Sequence, residues 1–181
     1  VYMIIGGKDL LNGKRFDKGG YILTYDYDKW SFIDPKEAQK KLNLPRNPRD
    51  YTSIAVTTDD SNDEIVYASS MGDGVIQYKN GTPVQSYNEK NAFKETAGGY
   101  GSGYCYIDGL AFDKNGNLWM TSSEVNHAVL VLDKAGAWHR LDIEQLRGVY
   151  TINDILITST NDKWIYVPRN TPKLVMIPNS E

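Results

Sequence analysis

Cysteine and histidine are nearly missing from this sequence: Cys105 is its one thiol, and His127 and His139 are its two imidazoles, among 181 residues. One thiol cannot make an internal disulfide framework or a multi-cysteine zinc site. With no base beside it in the sequence, Cys105 also lacks the partner that would turn it into a nucleophile. The histidines stand in no Ser/His/Asp or His-x-x-Glu arrangement, which leaves a catalytic triad or a zinc hydrolase site without its parts. No apolar run approaches the roughly 20 residues that cross a bilayer as a helix, so no membrane span is expected in this chain. A signal-peptide pattern is missing as well. The sequence opens on the strand-like Val-Tyr-Met-Ile-Ile at 1–5, and any targeting segment is expected to lie outside it.

A surplus of positive charge is also absent. Twenty Lys plus Arg stand against 23 Asp plus Glu, for a formal net charge of -3. The basic residues are scattered instead of forming a stripe that follows a phosphate backbone, so nucleic acid is not an expected partner. The densest basic stretch, 36–41, has helical spacing and reads as a solvated face.

What the sequence has in quantity is 13 Tyr, 4 Trp and 16 Gly, within an ordinary 40% hydrophobic and 24% charged composition. Those residues favour short strands joined by tight turns, an all-β chain. A repeat gives the strands their order. Asp-Gly-Leu-Ala-Phe-Asp-Lys-Asn-Gly-Asn-Leu-Trp-Met-Thr at 108–121 reads as strand, turn and strand. The segment 153–167 repeats it without a gap, Ile155 matching Leu110 and Trp164 matching Trp119, each 45 positions later. A third copy at 53–67 carries two extra turn residues and sets Ile54 against Leu110. Second hairpins follow at 74–87 and 128–141, which makes four strands per repeat.

Four antiparallel strands recurring every 40 to 50 residues or so is the pattern of β-propeller blades. The expected fold is therefore a partial β-propeller of about two complete four-stranded blades and two partial ones. The blade-like units fall at about 1–34, 51–90, 106–145 and 152–177, in one domain that is expected to be a piece of a longer protein. Helix is expected only at about 35–44, after the cap residue Asp34 and ending before Pro45, and at 144–147.

The stretch 109–141, with its Asp-Lys-Asn-Gly-Asn-Leu-Trp element, resembles the repeat of the two-component-regulator propeller family, and 154–167 and 54–87 resemble it less closely. Such propellers form the periplasmic sensor part of hybrid histidine kinases and the bulk of PorZ-type surface components of the type IX secretion system. Asn-Leu-Trp-Met-Thr-Ser-Ser-Glu-Val-Asn at 117–126 and Ala-Gly-Ala-Trp-His at 135–139 are more similar to the second group. The resemblance implies an extracytoplasmic, non-catalytic module for ligand sensing or protein assembly, with no cofactor. It also implies the remaining blades of the parent protein as partners.

Several residues invite chemistry. Asp-Asp-Ser-Asn-Asp-Glu at 59–64 offers oxygen ligands but lacks the spacing of a calcium loop and reads as a turn. Gly-Gly-Tyr-Gly-Ser-Gly at 98–103 lacks the Lys-Ser/Thr of a phosphate loop. Trp119 and Trp164 are expected to fill the space between blades. The alternative function, a propeller enzyme of the gluconolactonase or lyase kind, would need acidic metal ligands on several inner strands. The aligned strand starts hold only Thr52, Asp108 and Asn153, so no catalytic or metal residue is assigned. The expected contact for a glycan or protein partner lies at an end face of the propeller, on the loop 96–108. There Tyr100, Tyr104 and Tyr106 alternate with Gly and Ser ahead of Asp108.

Overall fold

The computed structural model describes residues 1–7, 16–93, 104–169 and 171–179. It is built of antiparallel meanders. The first sheet contains β1 (Tyr2–Ile5), β2 (Tyr21–Asp26) and β3 (Lys29–Ile33). The second contains β4 (Tyr51–Thr58), β5 (Glu64–Gly72), β6 (Gly74–Lys79) and β7 (Thr82–Tyr87). The third contains β8 (Cys105–Phe112), β9 (Leu118–Ser122), β10 (Val129–Leu132) and β11 (Trp138–Leu141). The fourth contains β12 (Ile155–Ile157), β13 (Lys163–Val167) and β14 (Lys173–Ile177). The end of β5 also pairs with the start of β8, through Met71 with Tyr106 and Gly72 with Cys105, which ties the second and third sheets together.

The turns form for a repeated reason. At the head of each inner hairpin turn a side-chain oxygen gathers backbone N–H groups. Asp113 Oδ1 accepts from Asn115 and Asn117 at 2.9 Å each, Asp59 Oδ1 from Ser61 and Asp63, and the Thr158 hydroxyl from Asp162. The Asp-x-x-Gly-Asn element at 113–117 is thus a turn device, and Gly116, at φ 83, supplies its left-handed position, which Asn62 and Asn161 supply in the other two turns. Helix is confined as expected among the described residues: α1 (Pro35–Leu42), whose first turn is capped by Asp34 through Lys36 N–H at 2.9 Å, and one 3-10 turn at Glu144–Leu146.

Because side chains alternate across a strand, each sheet presents one face to the sheet before it and the other to the sheet after it. Ile22 packs with Tyr51, Val66, Ala68, Ile76 and Tyr78 between the first and second sheets. Ala55 and Val75 meet Leu110, Leu118, Met120, Leu130 and Leu132 between the second and third. Val129, with Trp119 half-buried beside it, meets Ile155, Ile165 and Val167 between the third and fourth. Face-to-face stacking of successive meanders is the architecture of propeller blades. Trp119 occupies the space between blades as expected, its indole N–H donating to Asp113 Oδ2 at 2.9 Å and the Lys163 ammonium 4.5 Å from its ring centroid. Trp164 does not. It stands on the outward face of the fourth sheet, 37% exposed, because no sheet in the described residues follows to cover it.

Apolar stacking alone leaves the stagger of one sheet on the next undefined; hydroxyls fix it. The Ser69 hydroxyl donates to Asp108 C=O at 2.9 Å and the Thr52 hydroxyl to Ile107 C=O at 2.7 Å, while Leu110 N–H donates to Ser53 Oγ at 3.1 Å. One sheet further on, the Thr121 hydroxyl reaches Asn153 C=O at 3.4 Å and accepts from Gly109 N–H at 2.9 Å. These contacts cluster at β-bulges in equivalent places on β4 and β8. At the second bulge the backbones come so close that a Cβ on Gly109 would lie 2.6 Å from Ile155 N.

Replacing Thr121 by Val keeps the shape of the side chain and deprives the buried Gly109 N–H of its acceptor. This change is expected to cost about 1–3 kcal/mol in denaturant unfolding, with Thr121→Ser recovering most of it. An unchanged midpoint in Thr121→Val would show that the hydroxyl bonds do not hold the third blade to the fourth.

Candidate functional site

β8 begins at the same end of the sheets where β5 stops, where β9 gives way to the 123–128 loop and where the chain approaches β12. Three of the four residues singled out by sequence meet there, and Tyr100 lies outside the described residues. The rings of Tyr104 and Tyr106 are edge-to-face at 5.6 Å, and both pack with Met71. Tyr104 also lies against Gly72, whose φ of 127 and lack of a side chain leave room for the ring. Tyr104 is half-buried, whereas Tyr106 and Asp108 are 5% and 2% exposed. Tyr104 is therefore the aromatic surface on offer, with Tyr106 as its backing.

The carboxylate of Asp108 is engaged inside the protein. Ser123 Oγ donates to Asp108 Oδ2 at 2.5 Å and accepts from Ile152 N–H at 2.8 Å, so this carboxylate helps to fasten the third sheet to the chain leading into the fourth. Next to Ser123 is a residue that no sequence pattern singles out. Glu124 adopts φ 62, a left-handed conformation rare outside glycine and asparagine, and its N–H donates to Val149 C=O at 2.8 Å. One of its carboxyl oxygens, Oε1, is buried without a hydrogen-bond partner among the described residues. Burial raises the Glu124 carboxyl above its ordinary range, and the negative charge of Asp108 raises it further. No spacing or motif marks Glu124; the only signal in the sequence is its position in the turn between two strands.

The other candidates have structural roles. In the 59–64 turn Lys79 Nζ bridges Asp59 and Asp63 at 2.8 Å each, and this ammonium holds both carboxyls below their usual range, where a calcium ion would otherwise supply the positive charge. Burial pushes the Cys105 thiol up to about 12, so it is not a thiolate at neutral pH. His139 pairs with Asp133 at 2.7 Å near the β10–β11 turn, at the far end of the third sheet from Tyr104. Of the aligned strand starts, Thr52 and Asp108 both carry bonds between neighbouring blades or loops, as given above. Among the described residues no three His, Cys, Asp or Glu side chains are grouped to hold a metal ion.

No family model matches the sequence, and no curated protein matches it. Solved structures do match. PorZ, an essential bacterial surface component of the type-IX secretion system of human oral-microbiomic Porphyromonas gingivalis, is similar with a TM-score of 0.80 at 20% identity, over 97% of this chain and 23% of that one. The extracellular domain of BT4673 from B. thetaiotaomicron, assigned to a one component system, is similar at 0.54 and 16% identity, over 88% of this chain and 22% of that one. Streptogramin B lyase reaches 0.46 at 16% identity, over 98% of this chain and 59% of that one, a level of likeness that carries no argument. The two higher scores establish the fold: this chain is an arc of β-propeller like those found in a secretion-system surface component and in the extracellular domain of a one component system. The chain spans about a quarter or less of the length of either structure. At the level of fold, the resemblance carried by 109–141 and these neighbours agree.

The environment of Glu124 sets a pH dependence. Its carboxyl is raised in the folded chain, so folding favours the protonated form, and that contribution is lost as the pH rises through the folded-state value. Glu124→Gln is expected to melt at a higher temperature than the parent protein at pH 7. The two melting temperatures should converge as the pH falls toward about 4.3, the ordinary glutamate value. A constant gap across this range, or none at pH 7, would rule out the strained, desolvated carboxyl.

Proposed function

We propose that this chain is a non-catalytic, extracytoplasmic propeller module that binds a glycan or protein partner at the end face carrying Tyr104. The observation that carries the reading is the likeness to PorZ, at a TM-score of 0.80 over 97% of the chain. Both of the better-matched neighbours are described as standing outside the cytoplasm, one as a surface component and the other as an extracellular domain. Assembly at the surface and sensing of a ligand call on the same property, a rigid end face with an accessible anchor.

Tyr104 suits that role. An aromatic ring stacks on a sugar or fills a protein pocket at small entropic cost when it is already held in place, and Tyr106, Met71 and Gly72 hold this one. Tyr100 belongs to the same contact through its place in the sequence. Tyr106 supports it from beneath, and Asp108 contributes by holding Ser123 at the same end of the sheet. Catalysis is not part of the proposal, since the side chains that would perform it are engaged in turns and blade junctions.

Calorimetric titration of a panel of neutral and acidic oligosaccharides tests the reading. Binding by the parent protein, weakened about tenfold or more in Tyr104→Ala and unchanged in the surface control Lys134→Ala, is the expected result. Equal affinity in Tyr104→Ala would remove the site. If no oligosaccharide binds, the glycan reading fails, and a protein partner captured by the parent but not by Tyr104→Ala is what the proposal then requires.

A further inference from the structure

The junction between the second and third sheets can be compared with that between the third and fourth through aligned positions of the repeat. Tyr67 stands opposite Ala55 as Trp119 stands opposite Ala111. On the facing wall Leu118 precedes Lys163 by 45 positions, and Gly116 precedes Asn161 by the same offset. At the later junction these positions close the turn end. The Trp119 indole fills the gap with the Lys163 ammonium 4.5 Å from its centroid, and the Asn161 side chain, 1% exposed, accepts from the Lys114 N–H of the neighbouring turn at 3.1 Å. At the earlier junction a smaller ring, an aliphatic side chain and a glycine take their places. The turn end there opens into a cleft of about 650 Å³. Small-ligand sites span roughly 300–1,000 Å³.

From this we infer that the cleft between the second and third blades is a binding site for an aromatic side chain, an indole or a phenol, presented by a partner polypeptide. Buried Ile65, Leu118 and Leu132 line it, with the half-buried rings of Tyr67 and Phe112 edge to face at 5.9 Å. An aromatic ring gains most from such walls, since it adds edge-to-face contacts to the area it buries. The later junction shows the fit within the same chain, because there an indole occupies the corresponding space. The charges around the mouth already answer one another: Lys79 bridges Asp59 and Asp63, Lys134 lies 3.5 Å from Asp60, and His139 pairs with Asp133. The cleft therefore suits an uncharged occupant. Three exposed hairpin turns border it, at 59–62, 114–116 and 134–136, and offer polar groups to the main chain on which the ring is carried. An aromatic anchor in a desolvated pocket is the commonest strong contact between proteins. This site lies at the opposite end of the sheets from Tyr104 and does not rest on the end-face reading.

The test uses an uncharged tripeptide, N-acetyl-glycyl-fluorotryptophyl-glycinamide, observed by fluorine NMR as the native full-length protein is added. Binding with a Kd of about 1 mM or tighter is the expected result. Two variants rebuild the closed junction in the open one. Tyr67→Trp supplies the indole of Trp119. Gly116→Asn supplies the side chain of Asn161, at a left-handed position that asparagine already occupies there, with Lys134 Cδ the nearest atom to the new Cβ at 3.7 Å. Each is expected to bind the tripeptide about tenfold or more weakly while melting no lower than the parent protein. No binding by the parent at about ten times the expected Kd would overturn the inference, and so would equal binding by parent and variants. Displacement of the tripeptide by a neutral oligosaccharide would overturn the polypeptide occupant and assign the cleft to a sugar. Both substitutions lie away from Tyr104, so none of these outcomes decides the end-face reading.

Discussion

A hydroxyl on the second strand of one blade reaches across to the inner strand of the next: Ser69 to the Asp108 carbonyl, Thr121 to the Asn153 carbonyl. The inner strands β4 and β12 are edge strands, and β8 is paired on its outer side only at Cys105 and Tyr106, so their other outward backbone groups become buried once the blades stack. Beyond that short pairing no ladder reaches those groups, because the blades otherwise meet face to face. Left unsatisfied, each would cost about 1–3 kcal/mol. Small hydroxyls solve the problem, since they can donate and accept in one place and fit where the backbones approach most closely. Gly109 marks the same constraint from the other side, its missing Cβ giving room for the Ile155 backbone.

This junction governs what the neighbouring residues can do. The bulges at Thr52 and Asp108 turn the inner strands toward the contact, and they take the Asp108 carboxylate out of solvent and onto Ser123. With that carboxylate buried, Glu124, whose carboxyl feels its charge, sits in a field that opposes ionisation, on a backbone held in a left-handed conformation. Strain and unfavourable charge are sustained here because the surrounding hydrogen bonds over-determine the loop: Glu124 N–H to Val149 and Ile152 N–H to Ser123. The same rigidity holds Tyr104 and Tyr106 in one arrangement beside it.

Much of the fold was legible because its signals are local. An Asp or Thr that gathers N–H groups at a turn, a Gly or Asn with positive φ three residues later and a two-residue alternation on both sides are properties of short segments, and they recur in register at Leu110 and Ile155. The helix over 35–42 was legible for the same reason, from Asp34 and Pro35. Contacts between blades were less legible. Burial of Tyr106 and Asp108 follows from a bulge and from the pairing of Met71 with Tyr106 across two sheets, and no pattern within 96–108 states either. Glu124 was invisible because its character comes from burial and from Asp108, sixteen positions earlier. Trp164 was read by analogy with Trp119, which matched its place in the repeat and missed its surroundings, since burial depends on the neighbour and not on the residue.

That contrast separates what each blade carries from what it receives. The turn devices and the hairpins belong to single blades, and each blade provides them alone. The apolar faces and the hydroxyl contacts belong to pairs, so a blade completes them only when the next is present. At the second and third sheets the position that follows the aromatic residue by two is a small hydroxyl, Ser69 or Thr121, sized for a close backbone approach. At the fourth sheet it is Tyr166, whose hydroxyl stands several bonds farther from the backbone. A tyrosine cannot sit in the gap that Thr121 spans without holding the next inner strand away. The outward face of the fourth sheet is therefore built differently from the two faces covered inside the chain, with Leu156, Leu174 and Met176 exposed on it.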